Sequence, residues 1–231
     1  LICGSIMSKK IAEGIQGLVL DIKTGNGAFI KNLKDANKLG KLLVLIGSKF
    51  GIEVKYIDSD MSQPLGYSAG LLCEIEESVK ALSGGGANDL MNVVFDLGKI
   101  ALTMAGQNNP KDRMLKVISN GSARDIFFKM IYEHGGDLNK IYPKPKNNFD
   151  IISNKDGYFK YINTEIIGNT VNYLTLLNGT IDRNAGIKFL KKNGDFINKG
   201  DIIFQIFSDY SKNIYTSKKM IKKSYIIAEN Y

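Results

Sequence analysis

The chain has 231 residues, 44% of them apolar and 23% charged, which is enough apolar material for a buried core and excludes a disordered protein. Its net charge of +8 is spread along the chain, with the densest run, "SKKMIKK", at 217–223, so nucleic acid is not an expected partner. The longest apolar runs, such as "LLVLI" at 42–46, fall far short of the ~20 residues of a helical bilayer span, and no membrane partner is expected.

In chain order, "GSIMSKKIAEG" at 4–14 comes first. If Ser5 begins a helix, its hydroxyl caps free backbone N–H groups and Lys9, four residues on, lies on the same face. Such a pair suits a planar ligand with carbonyl oxygens and a ring nitrogen, because Ser donates or accepts and Lys only donates. From spacing alone, a plain N-cap followed by a surface lysine is the favoured description. "GLVLDIK" at 17–23 reads as a buried strand, and "KTGNGAF" at 23–29 as a glycine turn at its carboxyl end, where open α/β sheets bind ligands. The turn fits neither a dinucleotide fingerprint nor a P-loop. Leu33, Ala36, Leu39, Leu42, Leu43, Ile46 and Phe50 recur at helical spacing, Gly51 is a stop, and "IEVKYID" at 52–58 is the next strand.

"DMSQPLGYSAG" at 60–70 is a polar loop stiffened by Pro64 and opened by Gly66 and Gly70. Glu77, on the helix that follows, can join loop carbonyls around a cation or be a solvated glutamate. "GGG" at 84–86 interrupts that helix, "ANDLMNVVFDLGKIALTMAG" predicts a long helix buried against the sheet or its neighbours, and shorter helices start at Pro110 and Ser122. His134, the single histidine, falls at a helix end as a surface residue, which argues against histidine catalysis or a histidine metal site. Cys3 and Cys73 have no metal-ligand spacing, and no secretory leader signature opens the chain, so reduced thiols in the cytoplasm are expected. "IYPKPKNNFDIISNKDG" at 141–157 breaks the helical pattern and places a boundary near Asp150. Beyond it, "GYFKYIN" and "GIKFLKKNGDFINKGDIIFQIFS" read as short strands with hairpin turns at Gly194-Asp195 and Gly200-Asp201. The fold class is α/β, parallel strands joined by helices, with a small C-terminal α+β or β module.

Three stretches, "SIMSKKIAEG", "LVLDIKTGNGAF" and "DMSQPLGYSAG" with "CEIEE", in this order and spacing, closely resemble the pyrimidine-nucleoside phosphorylase and thymidine phosphorylase family. The similarity continues through "DRMLKVISNGSARDIFFKMI", "DGYFKYINTEIIG" and "GDFINKGDIIFQI", over essentially the whole chain. The resemblance implies phosphorolysis: inorganic phosphate, as co-substrate, attacks C1′ of uridine, thymidine or deoxyuridine and releases the base and a pentose 1-phosphate. It implies that Ser5 and Lys9 hold the base, Lys9 stabilising the negative charge that develops on it, and that Phe29 lies beside it, with packing as its other role. It also implies a structural potassium ion on main-chain oxygens of Leu65 and Ser68 and on the Glu77 carboxylate, no organic cofactor, and a cytoplasmic homodimer.

The family's Lys-x-Ser-x-Gly-Gly phosphate segment and an arginine that shares the base would lie upstream of Leu1, so no residue here is assigned to phosphate. Leu71 and Leu72 replace the usual "NA", and "LLNGTIDRNAGI" at 176–187 is shorter than the family's loop. The implied division is 1–14, a remnant of a helical base-binding lobe with a hinge at Glu13 to Ile15, then 15–150, an incomplete α/β domain with a partial central sheet flanked by helices, then the C-terminal module at 151–231. An exposed sheet edge and uncovered apolar surface are then expected, with poor stability and no normal phosphorolysis from this polypeptide alone. A non-catalytic binding or assembly module of the same fold is the alternative function.

Overall fold

Strands β1 (Gly17–Thr24) and β2 (Glu53–Asp60) pair in parallel, Gly17 opposite Glu53 through Thr24 opposite Asp60. Parallel neighbours need a crossover, and α2 (Leu33–Lys49) supplies it. The computed structural model describes residues 1–137, 144–177 and 179–230, so part of the predicted break at 141–157, and Asn178 of the shortened loop, lie outside the described residues. The chain forms two units, one of Leu1–Met61 with Met91–Lys116, the other of Ser62–Leu90 with the chain from Val117 onward.

In the first unit, α2 starts at Asn32, whose side chain accepts from the Asp35 N–H at 2.9 Å and so satisfies a helix-end donor. It stops at Phe50 and Gly51, as the sequence suggests. The apolar stripe differs from the predicted one. Ala36 and Leu43 are buried, but Leu33, Leu42 and Phe50 are exposed, and the buried line runs Ala36, Gly40, Leu43, Gly47. A Cβ at Gly40 would lie 2.4 Å from the Tyr56 ring, and one at Gly47 would lie 2.3 Å from Val54 and 3.0 Å from the Ile52 carbonyl. Small residues therefore set the helix-to-strand distance, and leucine counting cannot see them. Gly47→Ala gains about 1 kcal/mol of helix propensity. The overlap costs about 1–3 kcal/mol, so the variant is expected to unfold at lower urea than the parent. A raised midpoint would contradict this packing.

Helix α1 (Ile2–Ala12) buries Met7 among Ile22, Ala36, Leu43, Ile52 and Val54, with Cys3, Ile6 and Ile11 partly covered beside it. Among the described residues β1 and β2 have no third strand, which leaves the expected open edges. Helices α4 (Asn88–Met104) and α5 (Pro110–Ser119) form where predicted. Contrary to expectation, α4 contains no buried residue. Met114 of α5 lies against Gly98, and the Met104 methyl lies beside Gly17.

The second unit has its own core. One antiparallel sheet runs in the order β3 (Ser68–Gly70), β8 (Gly186–Phe189), β10 (Ile202–Ser208), β4 (Asn147–Ile152). Another runs β11 (Tyr225–Ala228), β5 (Gly157–Tyr161), β9 (Phe196–Ile197), and β6 (Leu176–Leu177) with β7 (Thr180–Ile181) makes a short ribbon. Helices α3 (Leu71–Lys80), α6 (Ser122–Glu133), α7 (Thr164–Thr175) and α8 (Ser211–Ile221) complete the unit, α7 against α8 and α8 against β10. The predicted interruption at the glycine run is a π-helical turn, Ala81–Gly85. His134 caps the end of α6 and is exposed, as expected.

The turns at Gly194 and Gly200 form, but they are not hairpins. Strands β8 and β10 belong to one sheet and β9, between them in sequence, belongs to the other, so each turn carries the chain across sheets. The aspartate after each glycine closes the corner: Asp195 accepts from the Lys192 N–H at 2.7 Å, and Asp201 accepts from the Asn198 N–H at 3.2 Å. Lys191 also donates to Asp201 at 3.0 Å and, with that N–H, holds its carboxyl below the usual range. Among the described residues no helix is long and apolar enough to cross a membrane.

Candidate functional site

The helix that carries Ser5 and Lys9 begins at Ile2. Ser5 is therefore not its cap; its own N–H donates to the Leu1 carbonyl at 3.0 Å, already inside the helical ladder. The four-residue spacing still puts Ser5 and Lys9 on one face, and both are exposed while Met7 turns to the core. The next lysine, Lys10, is engaged instead with Glu13 at 2.9 Å.

Phe29 stands on the glycine turn after β1 and is 87% exposed, which rules out its packing role. The turn is fixed by the backbone: the Gly27 N–H donates to the Met61 carbonyl at 3.1 Å, and the Met61 N–H to the Thr24 carbonyl at 2.6 Å. Phe29 overhangs a groove of about 370 Å³ whose walls include Ile2 and Ile6 of α1, Asp21 and Lys23 of β1, Ile30, and Leu39 of α2. Ser5 and Lys9 are on the same helix as Ile2 and Ile6 but do not line this groove.

A polar cluster in this groove escapes a reading of the sequence. Asp21 and Lys23, two residues apart, share one face of β1, and Ser59 of β2 is the register partner of Lys23. The Lys23 ammonium lies 2.6 Å from Asp21 and donates to Ser59 Oγ at 2.8 Å, while Ser59 Oγ donates to Asp21 Oδ1 at 2.6 Å. The three groups hold one another rigidly at the carboxyl ends of two parallel strands, where α/β folds place ligands. The available signal was the alternation "DIK" at the end of a strand; the serine is 36 residues from its lysine partner and only the register brings it in.

In the second unit, α3 brings Glu77 to the loop before β3. Its Oε1 accepts from the Tyr67 N–H at 2.6 Å, and both carboxylate oxygens lie 2.9 Å from where a Cβ on Gly66 would stand. Leu65 is partly exposed, and Ser68 opens β3 opposite Lys188. A residue not singled out by the sequence dominates this loop. The Lys192 ammonium donates to the Pro64 carbonyl at 2.7 Å, to the Gly66 carbonyl and to Asp89 Oδ2 at 2.7 Å, and sits 5.0 Å from the centre of the Tyr67 ring. The Asp89 carboxylate also accepts from the Gly66 N–H at 3.3 Å, and the Asn193 N–H donates to the Gln63 side chain at 2.9 Å.

Leu65, Ser68 and Glu77, the donors implied for potassium, lie on or beside this loop. Glu77 is bonded to backbone, and the positive charge that faces the loop carbonyls is the ammonium of Lys192. Among the described residues no group of three or more His, Cys, Asp or Glu side chains is placed to hold a metal. Burial, and then the neighbouring Glu74 and Glu76 carboxylates, push the Cys73 thiol up to about 12, which makes it a packing residue and not a nucleophile.

These features define an α/β protein with a groove at the carboxyl ends of its parallel strands, together with a separately cored antiparallel unit. Residues 158–228 match a family model described as the pyrimidine nucleoside phosphorylase C-terminal domain. The chain is 35% identical over 222 residues to a pyrimidine-nucleoside phosphorylase of Geobacillus stearothermophilus, covering 90% of this chain and 51% of that relative. It is 36% identical over 226 residues to one of Staphylococcus epidermidis, with the same coverages. It is 32% identical over 235 residues to a thymidine phosphorylase of Metamycoplasma hominis, covering 96% of this chain and 86% of that protein. The chain belongs to the pyrimidine-nucleoside and thymidine phosphorylase family, and it spans about half the length of the first two relatives.

Proposed function

We propose that the protein carrying this chain is a pyrimidine nucleoside phosphorylase, a cytoplasmic pentosyltransferase of nucleoside salvage. The similarity across 86% of a relative named thymidine phosphorylase carries this reading. A phosphate oxygen bonds to C1′ of the nucleoside as the bond from C1′ to the base nitrogen breaks, and the electron pair of that bond leaves with the base. The products are a pentose 1-phosphate and the free pyrimidine, which takes up a proton. Lys9 faces the charge that grows on the base, Ser5 hydrogen-bonds its imide edge, and Phe29 lies against the ring. An exposed ammonium and hydroxyl on one helix face support the first two roles, and an exposed aromatic ring beside a groove supports the third. Phosphate is a co-substrate, and no residue of this chain is assigned to it.

The deciding assay follows free uracil or thymine released from uridine or thymidine, with and without inorganic phosphate. Phosphate-dependent release is expected from the chain co-expressed with the N-terminal half of the Geobacillus relative. No release from that pair, or release that ignores phosphate, would overturn the proposal.

A further inference from the structure

We infer that the outer face of the sheet β3-β8-β10-β4 carries a binding site for a free amino acid, in a cavity of about 370 Å³ beside α3. Side chains on paired strands alternate between the two faces of a sheet. Ile187, Phe189, Phe204 and Ile206 face the core, so Lys188, Gln205 and Phe207 face outward. The register extends that outer face across the sheet, with Lys188 opposite Gln205, Gln205 opposite Asp150, and Phe207 opposite Asn148. Helix α3 sits tightly on one end of it, because the positions beneath are glycines: a Cβ on Gly70 or on Gly186 would lie 2.9 or 2.8 Å from Cys73 Sγ. The cavity opens beside that contact, with the buried Cys73 and Phe207 as its apolar floor and polar side chains as its rim. An apolar surface with a few convergent polar groups is the usual make-up of a small-molecule site.

The polar rim holds both kinds of hydrogen-bonding group. Gln205 Nε2 donates to Asp150 at 3.0 Å and Asn184 Nδ2 donates to Asp209 at 3.0 Å, which fixes the two amides and leaves their carbonyl oxygens to accept at the cavity wall. Glu76 of α3 adds a carboxylate acceptor, and Lys144 and Lys188 add ammonium donors. Among the described residues neither the Lys188 ammonium nor the Glu76 carboxylate has a hydrogen-bond or ion-pair partner. A simple anion would meet the lysines but also the charge of Glu76, and a simple cation would meet the reverse. A molecule with a carboxylate and an ammonium answers both: its carboxylate takes the lysines, its three N–H donors take Glu76 and the two amide oxygens, and its side chain lies on the apolar floor. An α-amino acid has that constitution. Every residue named here belongs to the second unit, and none has a part in the proposed phosphorolysis.

Thermal unfolding of the full chain with each of the common L-amino acids at millimolar concentration tests this without reference to turnover. At least one amino acid should raise the unfolding temperature, and calorimetric titration then gives its affinity. Its deamino and decarboxy analogues, which keep one charge each, should bind about ten- to hundredfold more weakly. Lys188→Met should weaken the amino acid by a similar factor. Glu76→Gln should do the same and leave the deamino analogue no weaker than in the parent. Both side chains are exposed, so both variants should keep the parent's urea midpoint. A panel in which no amino acid raises the unfolding temperature would overturn the inference. So would a deamino analogue that binds as tightly as the amino acid, which would make the cavity a plain anion site, or binding that neither substitution weakens, which would place the ligand elsewhere.

Discussion

Phe204→Ala is expected to cost about 3–5 kcal/mol of unfolding free energy, the range for emptying a phenylalanine site in a core. Phe204 is fully buried on β10 and meets four other rings: Tyr225 at 5.3 Å, Phe159 at 5.9 Å, Phe189 at 6.0 Å and Tyr161 at 6.1 Å between centroids. Those rings come from β11, β5 and β8, so one side chain joins the two antiparallel sheets of the second unit. Edge-to-face ring pairs add about 0.5–1.5 kcal/mol beyond their burial, which places this site at the upper end of the range. The rings are held by strands on several sides and cannot collapse into the space left by the truncation. Urea unfolding measures the loss, with Ile226→Ala, at a half-exposed position on β11, as a control. A loss at Phe204 no larger than at Ile226 would mean that the aromatic cluster is not the centre of this unit.

The second large effect is on activity and rests on the proposed function. Lys9→Met should lower the turnover number for phosphorolysis about 100- to 1000-fold, the usual effect of removing one group that stabilises transition-state charge. The reason is differential binding: a neutral base in the nucleoside draws little on an ammonium, and a departing base anion draws strongly. Ser5→Ala, which removes one hydrogen bond, should cost roughly tenfold. Lys10→Met changes the neighbouring lysine, whose ammonium is engaged with Glu13 on the surface, and should change turnover less than about twofold. A higher KM with unchanged turnover in Lys9→Met would show that the lysine binds substrate and transition state alike, which would remove it from the chemistry.

Elements governed by local periodicity were legible in the sequence. The strands at 17–24 and 53–60, the helix between them with its stop at Gly51, and the helices from Pro110 and Ser122 follow from apolar spacing and from glycine and proline. What local pattern could not give was partnership. The two glycine-aspartate turns look like hairpins because nothing in six residues states which sheet the next strand joins. The stripe of α2 was misplaced because its contact line is set by glycines that Tyr56 and Val54 approach from β2. Ser5 looked like a cap because serine favours that position, but the helical ladder is already running when the chain reaches it.

The site divides in the same way. Glu77 was legible as a companion of the loop before β3 because only ten residues separate it from Tyr67. Lys192 and Ser59 were not, because each meets its partners through pairing between distant segments. A lysine in "LKKNGD" carries no local mark that distinguishes it from its neighbour Lys191, which bonds Asp201 ten residues away.

The distance spanned by Lys192 also bears on how the chain is made. β1 and β2 can pair once the chain has been made as far as Asp60, since the Lys23–Ser59 contact closes only 36 residues. The loop at 62–68, made immediately afterwards, lacks both its strand partner β8 and its ammonium until the segment near residue 190 has been synthesised. Closing the longer span costs only about 1 kcal/mol more in chain entropy, so final stability hardly registers the delay. The delay is one of time, about 6–25 s at ordinary rates of translation. For that interval the loop carbonyls face water and the nascent chain's Asp89 waits without its counter-charge, so the loop before β3 settles only after β8 and the segment behind it have been made.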